Sequence, residues 1–246
     1  MSSLFEKMMA LNSTGPYRAE KVSAEDALTG GRHPVNPDPA PNAVLGTPLA
    51  GAQDPAWENV GEHGPLREVV LALGCFWGAE RLFWDIDGVM GTSVGYAGGY
   101  TANPTYREVC TGRTGHAEAV RVVFDPEKVR VEELLKVAFE NHDPTQGDRQ
   151  GNDVGTQYRS AVYAHDEEQL QRVRAALETW KERFAEAGFG DLTTEVGLLK
   201  DAGCGEYFLA EDEHQQYLHK NPAGYCMHGP NGCLLYTSDA ADDSLR

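Results

Sequence analysis

Positive charge is scarce in this sequence of 246 residues: 21 lysines and arginines stand against 38 aspartates and glutamates, a formal net charge of −17. Such a balance repels phosphate backbones and anionic lipid, so no nucleic-acid partner and no membrane surface is expected. Long apolar runs are missing as well, and none approaches the roughly 20 residues that span a bilayer as a helix. The opening residues place Glu6 and Lys7 where the apolar core of an export signal belongs, so a cytoplasmic protein is expected. Cysteines number five, at 75, 110, 204, 226 and 233, with no Cys-x-x-Cys spacing. An odd, scattered set disfavours a disulfide framework and favours catalytic or redox thiols. The histidines supply no ligand spacing; His214 and His219 fall five apart on an expected helix and face different ways. No metal and no cofactor is called for, and no internal repeat is present.

Regular structure is scarce in residues 1–65, where Pro34, Pro37, Pro39, Pro41, Pro48 and Pro55 break helices and central strands. This reads as an extension without a core of its own that wraps the domain surface or stays disordered. It carries one expected short helix at Ser23–Leu28, capped by Ser23 and ended at Gly30-Gly31. From about Arg67 the pattern becomes globular. Strands are expected at 68–73, 89–97, 115–124, 157–164 and 192–199. Helices are expected from Ala79 toward Gly88, at 105–110, 131–141 and 166–187, the last two with clear apolar stripes. Residues 142–156 read as loop, and the stretch from Glu206 to Cys226 as a polar run into an irregular tail. Interleaved strands and helices of these lengths predict an α+β two-layer domain with a central mixed sheet flanked by helices.

One stretch stands out. Leu71 to Leu73 is an apolar strand end, and Gly74-Cys75-Phe76-Trp77-Gly78 follows, a cysteine between glycines with two aromatics behind it. Cys75 thus falls where a strand turns into a helix, and the free N–H groups and positive dipole end there favour thiolate over thiol. A lowered thiol pKa is the expectation, with a buried structural cysteine as the alternative.

Further matching segments are Gly95-Tyr96-Ala97-Gly98-Gly99, Pro104 to Val109, Gly115-His116-Ala117-Glu118, Asn141 to Thr145, Gln150 to Ser160 and His214 to Leu218. On these motifs the chain resembles the A-type peptide methionine sulfoxide reductases over roughly residues 66–232. The resemblance implies a two-layer α+β sandwich with a ferredoxin-like core and long coil extensions. It implies reduction of methionine (S)-sulfoxide, in proteins or free, to methionine, with thioredoxin as reductant, by a monomer. Cys75 would attack the sulfoxide sulfur. Glu118 would be the acid that protonates its oxygen, and a partly buried carboxyl with a raised pKa suits that task. Phe76 and Trp77 would receive the substrate methyl group. Tyr106 and Tyr158 would donate hydrogen bonds to the oxygen, oriented by Asp153. The sulfenic acid left on Cys75 would condense with Cys226, in a mobile glycine-flanked tail. Cys110 and Cys204 match no functional position of the family.

The end departs from that pattern. Cys233 stands where many relatives carry a second recycling cysteine, yet Cys233 to Asp243 resembles the translated read-through of a sequencing-library adapter. Residues 233–246 are therefore set apart as non-native. The same residues also admit a thiol peroxidase, or a methionine-sulfoxide-binding or redox-sensing module that does not turn over.

Overall fold

Strand β1 (Arg67–Leu73) is apolar almost throughout because it lies in the middle of a sheet covered on both faces. The structure, a computed structural model, describes residues 20–233; the opening residues with Glu6 and Lys7, and the residues beyond 233, lie outside them. Strand β1 pairs antiparallel with β3 (Ala117–Phe124) on one side and β6 (Ser160–Ala164) on the other. Outside these lie β2 (Val89–Ala97), antiparallel to β3, and β7 (Glu195–Leu198), the parallel neighbour of β6. A short strand not foreseen, β8 (Tyr207–Leu209), closes the edge beside β2 and completes the order β7-β6-β1-β3-β2-β8. The sheet is mixed, as expected.

Helices α1 (Phe76–Arg81), α3 (Val131–Asn141) and α4 (Glu167–Glu186) pack on one face of this sheet. Alternation along β1 divides its side chains: Val69, Leu71 and Leu73 enter the main core with Phe139, Trp180 and Phe184, while Val70 and Ala72 join Ala119, Ala161 and Tyr163 behind. Coil covers that second face.

Several expectations are corrected. Helix α1 ends at Arg81 rather than running toward Gly88, because the following residues close i to i−3 bonds, Phe83 N–H to Glu80 and Ile86 N–H to Phe83. Residues 23–28 form turns instead of a helix. The Ser23 cap is present, donated to by Asp26 N–H, but Leu28 N–H bonds Arg113 and its carbonyl accepts from Thr101, so the chain pairs with the domain before a helical turn can propagate. The loop at 142–156 contains a small hairpin, β4 (Arg149–Gln150) with β5 (Asp153–Val154). His214 precedes the short helix α5 (Tyr217–Lys220) that holds His219, so the two do not share a helix. The extension wraps the domain as a strap: Val22, Leu49 and Trp57 are buried, the last with Leu66 and Val123, and Pro55–Asn59 forms a 3-10 turn.

Candidate active site

Gly74, at φ +97°, turns the chain from β1 into α1 and leaves Cys75 as the N-cap, a conformation that favours glycine. The Cys75 thiol is buried at the start of the helix; the Trp77 and Gly78 N–H groups act to lower its pKa, though the side chain makes no capping hydrogen bond. Its pKa moves the other way from the expectation. Burial pushes the thiol well above its ordinary value, and the charge of Glu118 adds to that, outweighing the two N–H groups. The resting form is the thiol.

Glu118 comes from the middle of β3, directly opposite Tyr96 of β2. It is buried, with Oε2 accepting from Phe76 N–H at 3.0 Å and Oε1 buried without a partner. Burial raises its carboxyl to about 8, with a further upward push from Asp153. A carboxyl that keeps its proton near neutral pH and has one free oxygen is an acid placed to donate.

Phe76 is wholly buried in the main core, whereas Trp77 is half-buried and stacks on Tyr217 at 3.9 Å between ring centroids. Tyr106, the first residue of helix α2 (Tyr106–Cys110), lies 4.4 Å from the His214 ring, and the Trp77 indole N–H donates to His214 Nδ1 at 3.2 Å. An aromatic cage therefore stands beside Cys75, in which sequence reasoning had found Phe76, Trp77 and Tyr106 but given no role to His214 or Tyr217. Glu211, also unassigned, accepts from Tyr106 N–H and from the Tyr96 hydroxyl, both at 2.8 Å. Cys110, at the other end of helix α2, acts electrostatically on the Tyr106 hydroxyl. Tyr158, on the 3-10 turn Thr156–Tyr158, lies in the electrostatic field of both Glu118 and Cys75, and burial raises its hydroxyl pKa as it does that of Tyr106. Both phenols stay protonated donors.

Asp153 departs from its expected place. Its Oδ1 accepts from Tyr225 at 3.0 Å and its Oδ2 is buried without a partner, so its hydrogen bond goes to the C-terminal tail rather than to Tyr106 or Tyr158. The tail itself is docked. His228 Nε2 donates to the Leu73 carbonyl at 2.7 Å, and Asn231 donates to the carbonyls of Phe139 and His142. Cys233 is buried in the main core cluster. This seats Cys226 against Gly78: a Cβ added to Gly78 would lie 3.0 Å from Cys226 Sγ and 2.4 Å from His228 Nδ1. All five cysteines are free thiols. Among the described residues no cluster of His, Cys, Asp or Glu is arranged to hold a metal ion, and no helix is long and apolar enough to cross a membrane.

A buried thiol beside a carboxyl that keeps its proton, with a second thiol seated on the same turn, is the equipment of a thiol oxidoreductase. Comparison with known proteins narrows the class. Residues 67–235 match the family model of peptide methionine sulfoxide reductase. Peptide methionine sulfoxide reductase MsrA of Corynebacterium kroppenstedtii is 57% identical over 216 residues, 88% of this chain and 94% of that one. MsrA of Salinispora arenicola is 56% identical over 217 residues, 87% and 92% of the two chains. Among solved structures, methionine sulfoxide reductase A of Corynebacterium diphtheriae superposes with a TM-score of 0.76 at 53% identity, covering 84% of this chain and 93% of that one. The reduced form of Mxr1 from Saccharomyces cerevisiae gives 0.59 at 31% identity, covering 69% and 94%. The chain belongs to the peptide methionine sulfoxide reductase family and is an oxidoreductase of that kind.

Proposed function

We propose that the protein reduces methionine (S)-sulfoxide, peptide-bound or free, through a sulfenic acid on Cys75. The observation that carries this is the buried Glu118 carboxyl, raised to about 8 and tied by one oxygen to the turn that bears Cys75 while the other faces no partner. The substrate methyl group rests against Trp77 and Phe76, and its oxygen accepts from Glu118, Tyr106 and Tyr158. Protonation of the oxygen by Glu118 makes the sulfoxide sulfur electrophilic and attracts Cys75 Sγ. The substrate S–O bond breaks and an S–O bond forms on Cys75. Cys75 sulfur loses two electrons and the substrate sulfur gains two; the proton given by Glu118 stays on the oxygen in Cys75–SOH, and the thiol proton returns to Glu118. Cys226 then condenses with the sulfenic acid, releasing water and forming a disulfide. A dithiol protein of the thioredoxin type returns both thiols.

Asp153 steers this second half through Tyr225, the neighbour of Cys226. The four inner strands, in the order β6-β1-β3-β2 and all antiparallel, support a ferredoxin-like core. The chain divides into an extension at 1–65, a catalytic domain at 66–232 and a non-native tail at 233–246. The working protein is a monomer in the cytoplasm, where reduced thiols persist. Incubation with dithiothreitol and a racemic methionine sulfoxide peptide is expected to consume one epimer; survival of both overturns the reading.

A further inference from the structure

Glu80, on α1, is buried to 0% exposure, yet it is not a spare core carboxylate. Its Oε1 accepts from the Thr92 hydroxyl at 2.9 Å and from Gln216 Nε2 at 2.8 Å, and its Oε2 accepts from Gln216 N–H at 2.8 Å. Gln216 is held at φ +46°, a left-handed conformation that a side chain with a Cβ adopts only when its surroundings fix it. The remaining oxygen of Gln216 accepts from Ala43 N–H at 3.0 Å, and Asn42 Nδ2 donates to both oxygens of Thr92. The next residue is Tyr217, whose ring lies flat on Trp77.

A closed hydrogen-bond circuit therefore joins the N-terminal strap, β2, the helix of the nucleophile and the segment that supplies the outer ring of the aromatic cage. We infer that Glu80 is a positioning residue for substrate binding: by pinning Gln216 in its left-handed turn it holds Tyr217 over Trp77, and the strap at Asn42-Ala43 completes the clamp. Chemistry at Cys75 and Glu118 does not pass through it. The inference rests on the aromatic cage being the methyl site, as proposed above, so its test includes a readout independent of activity.

The protein is labelled with 5-fluorotryptophan, the Trp77 resonance is assigned with Trp77→Phe, and the shift caused by losing the stacked ring is calibrated with Tyr217→Ala. Glu80→Gln, which replaces an acceptor by a donor facing Gln216 N–H, is expected to move the Trp77 resonance toward the calibrated position. KM for a methionine sulfoxide peptide is expected to rise about tenfold with kcat within about twofold, as loss of buried hydrogen bonds that only shape the pocket implies. Gln216→Asn is the second variant, since asparagine tolerates the left-handed backbone but is one methylene too short to reach Glu80 and Ala43 together. Either variant, folded and with the resonance and KM of the wild type, overturns the inference. An inactive wild type whose resonance still moves in the variants would overturn the proposed reaction and leave the clamp supported.

Discussion

The backbone N–H of Phe76 donates to Glu118 Oε2 at 3.0 Å, so the Glu118 carboxyl is fastened to the turn of chain that carries Cys75. Their ionisation is linked through it. Burial is the larger reason that the Cys75 thiol is raised, and the Glu118 charge is the second. Glu118→Gln is thus expected to lower the pH at which Cys75 becomes thiolate while leaving it above an ordinary cysteine. The same variant should slow reduction on the order of 10²–10⁴-fold by removing the acid. Ultraviolet thiolate titration, taken as the difference from Cys75→Ser, checks this; equal midpoints in wild type and variant would exclude the coupling.

The same carboxyl leaves a mark on stability. In the unfolded chain it ionises near its ordinary value of 4.5, and in the folded protein at about 8. Between those values the folded state holds a proton that the unfolded state has released, so rising pH favours unfolding across that window and adds nothing further above it. Glu118→Gln lacks this penalty. Its thermal midpoint should gain on that of the wild type as pH rises from about 5 to about 8. A constant difference over that range would mean that Glu118 is ionised in the folded protein.

Phe76 and Trp77 are adjacent but separable. Phe76 is fully buried in the main core, so Phe76→Ala is expected to cost about 3–5 kcal/mol of stability and to confound any kinetic reading. Trp77 is half-buried with its ring on Tyr217 and its N–H on His214, so Trp77→Ala should spare most of the stability and raise KM for the sulfoxide at least about tenfold. Denaturant unfolding alongside steady-state kinetics distinguishes the two. Equal stability losses in both variants would place Trp77 in the core and out of the pocket.

Periodicity and local chemistry are the parts of this fold that are legible in the sequence. Strand β2 and helix α3 lie at their expected bounds, since nine and eleven residues carry enough pattern to be read. Strand β8 and helix α5, of three and four residues, are too short for any period and exist because β2 and Glu80 capture them. Cys75 was visible because glycines mark the turn around it. Its raised pKa was not, because burial depends on β3 and on tail residues that approach from far along the chain. The clamp from Glu80 to Gln216 spans 136 residues, beyond the reach of spacing rules. The tail read as mobile from its glycines, and its anchors, His228 on Leu73 and Asn231 on Phe139, are long-range bonds without a local signature.

That docking makes Gly78 the place to test how the catalytic cycle closes. A methyl group there would meet His228 Nδ1 at 2.4 Å, closer than packed atoms allow, and Cys226 Sγ at 3.0 Å, tight enough that the sulfur must give, while Cys75 one turn earlier keeps its own backbone. Alanine is well tolerated inside a helix, so Gly78→Ala should leave α1 intact and displace the tail instead. The first step, assigned above by proposal to Cys75 and Glu118, is then expected to run near its wild-type rate in a single turnover, giving one methionine per enzyme. The second step should slow. Cys75 sulfenic acid would persist long enough to be trapped by dimedone, and thioredoxin-driven turnover should fall toward that of Cys226→Ser, with dithiothreitol-driven turnover less affected because a small thiol attacks the sulfenic acid directly. Disulfide formation in Gly78→Ala as fast as in the wild type would show that the seat of Cys226 beside Gly78 is not on the resolving route.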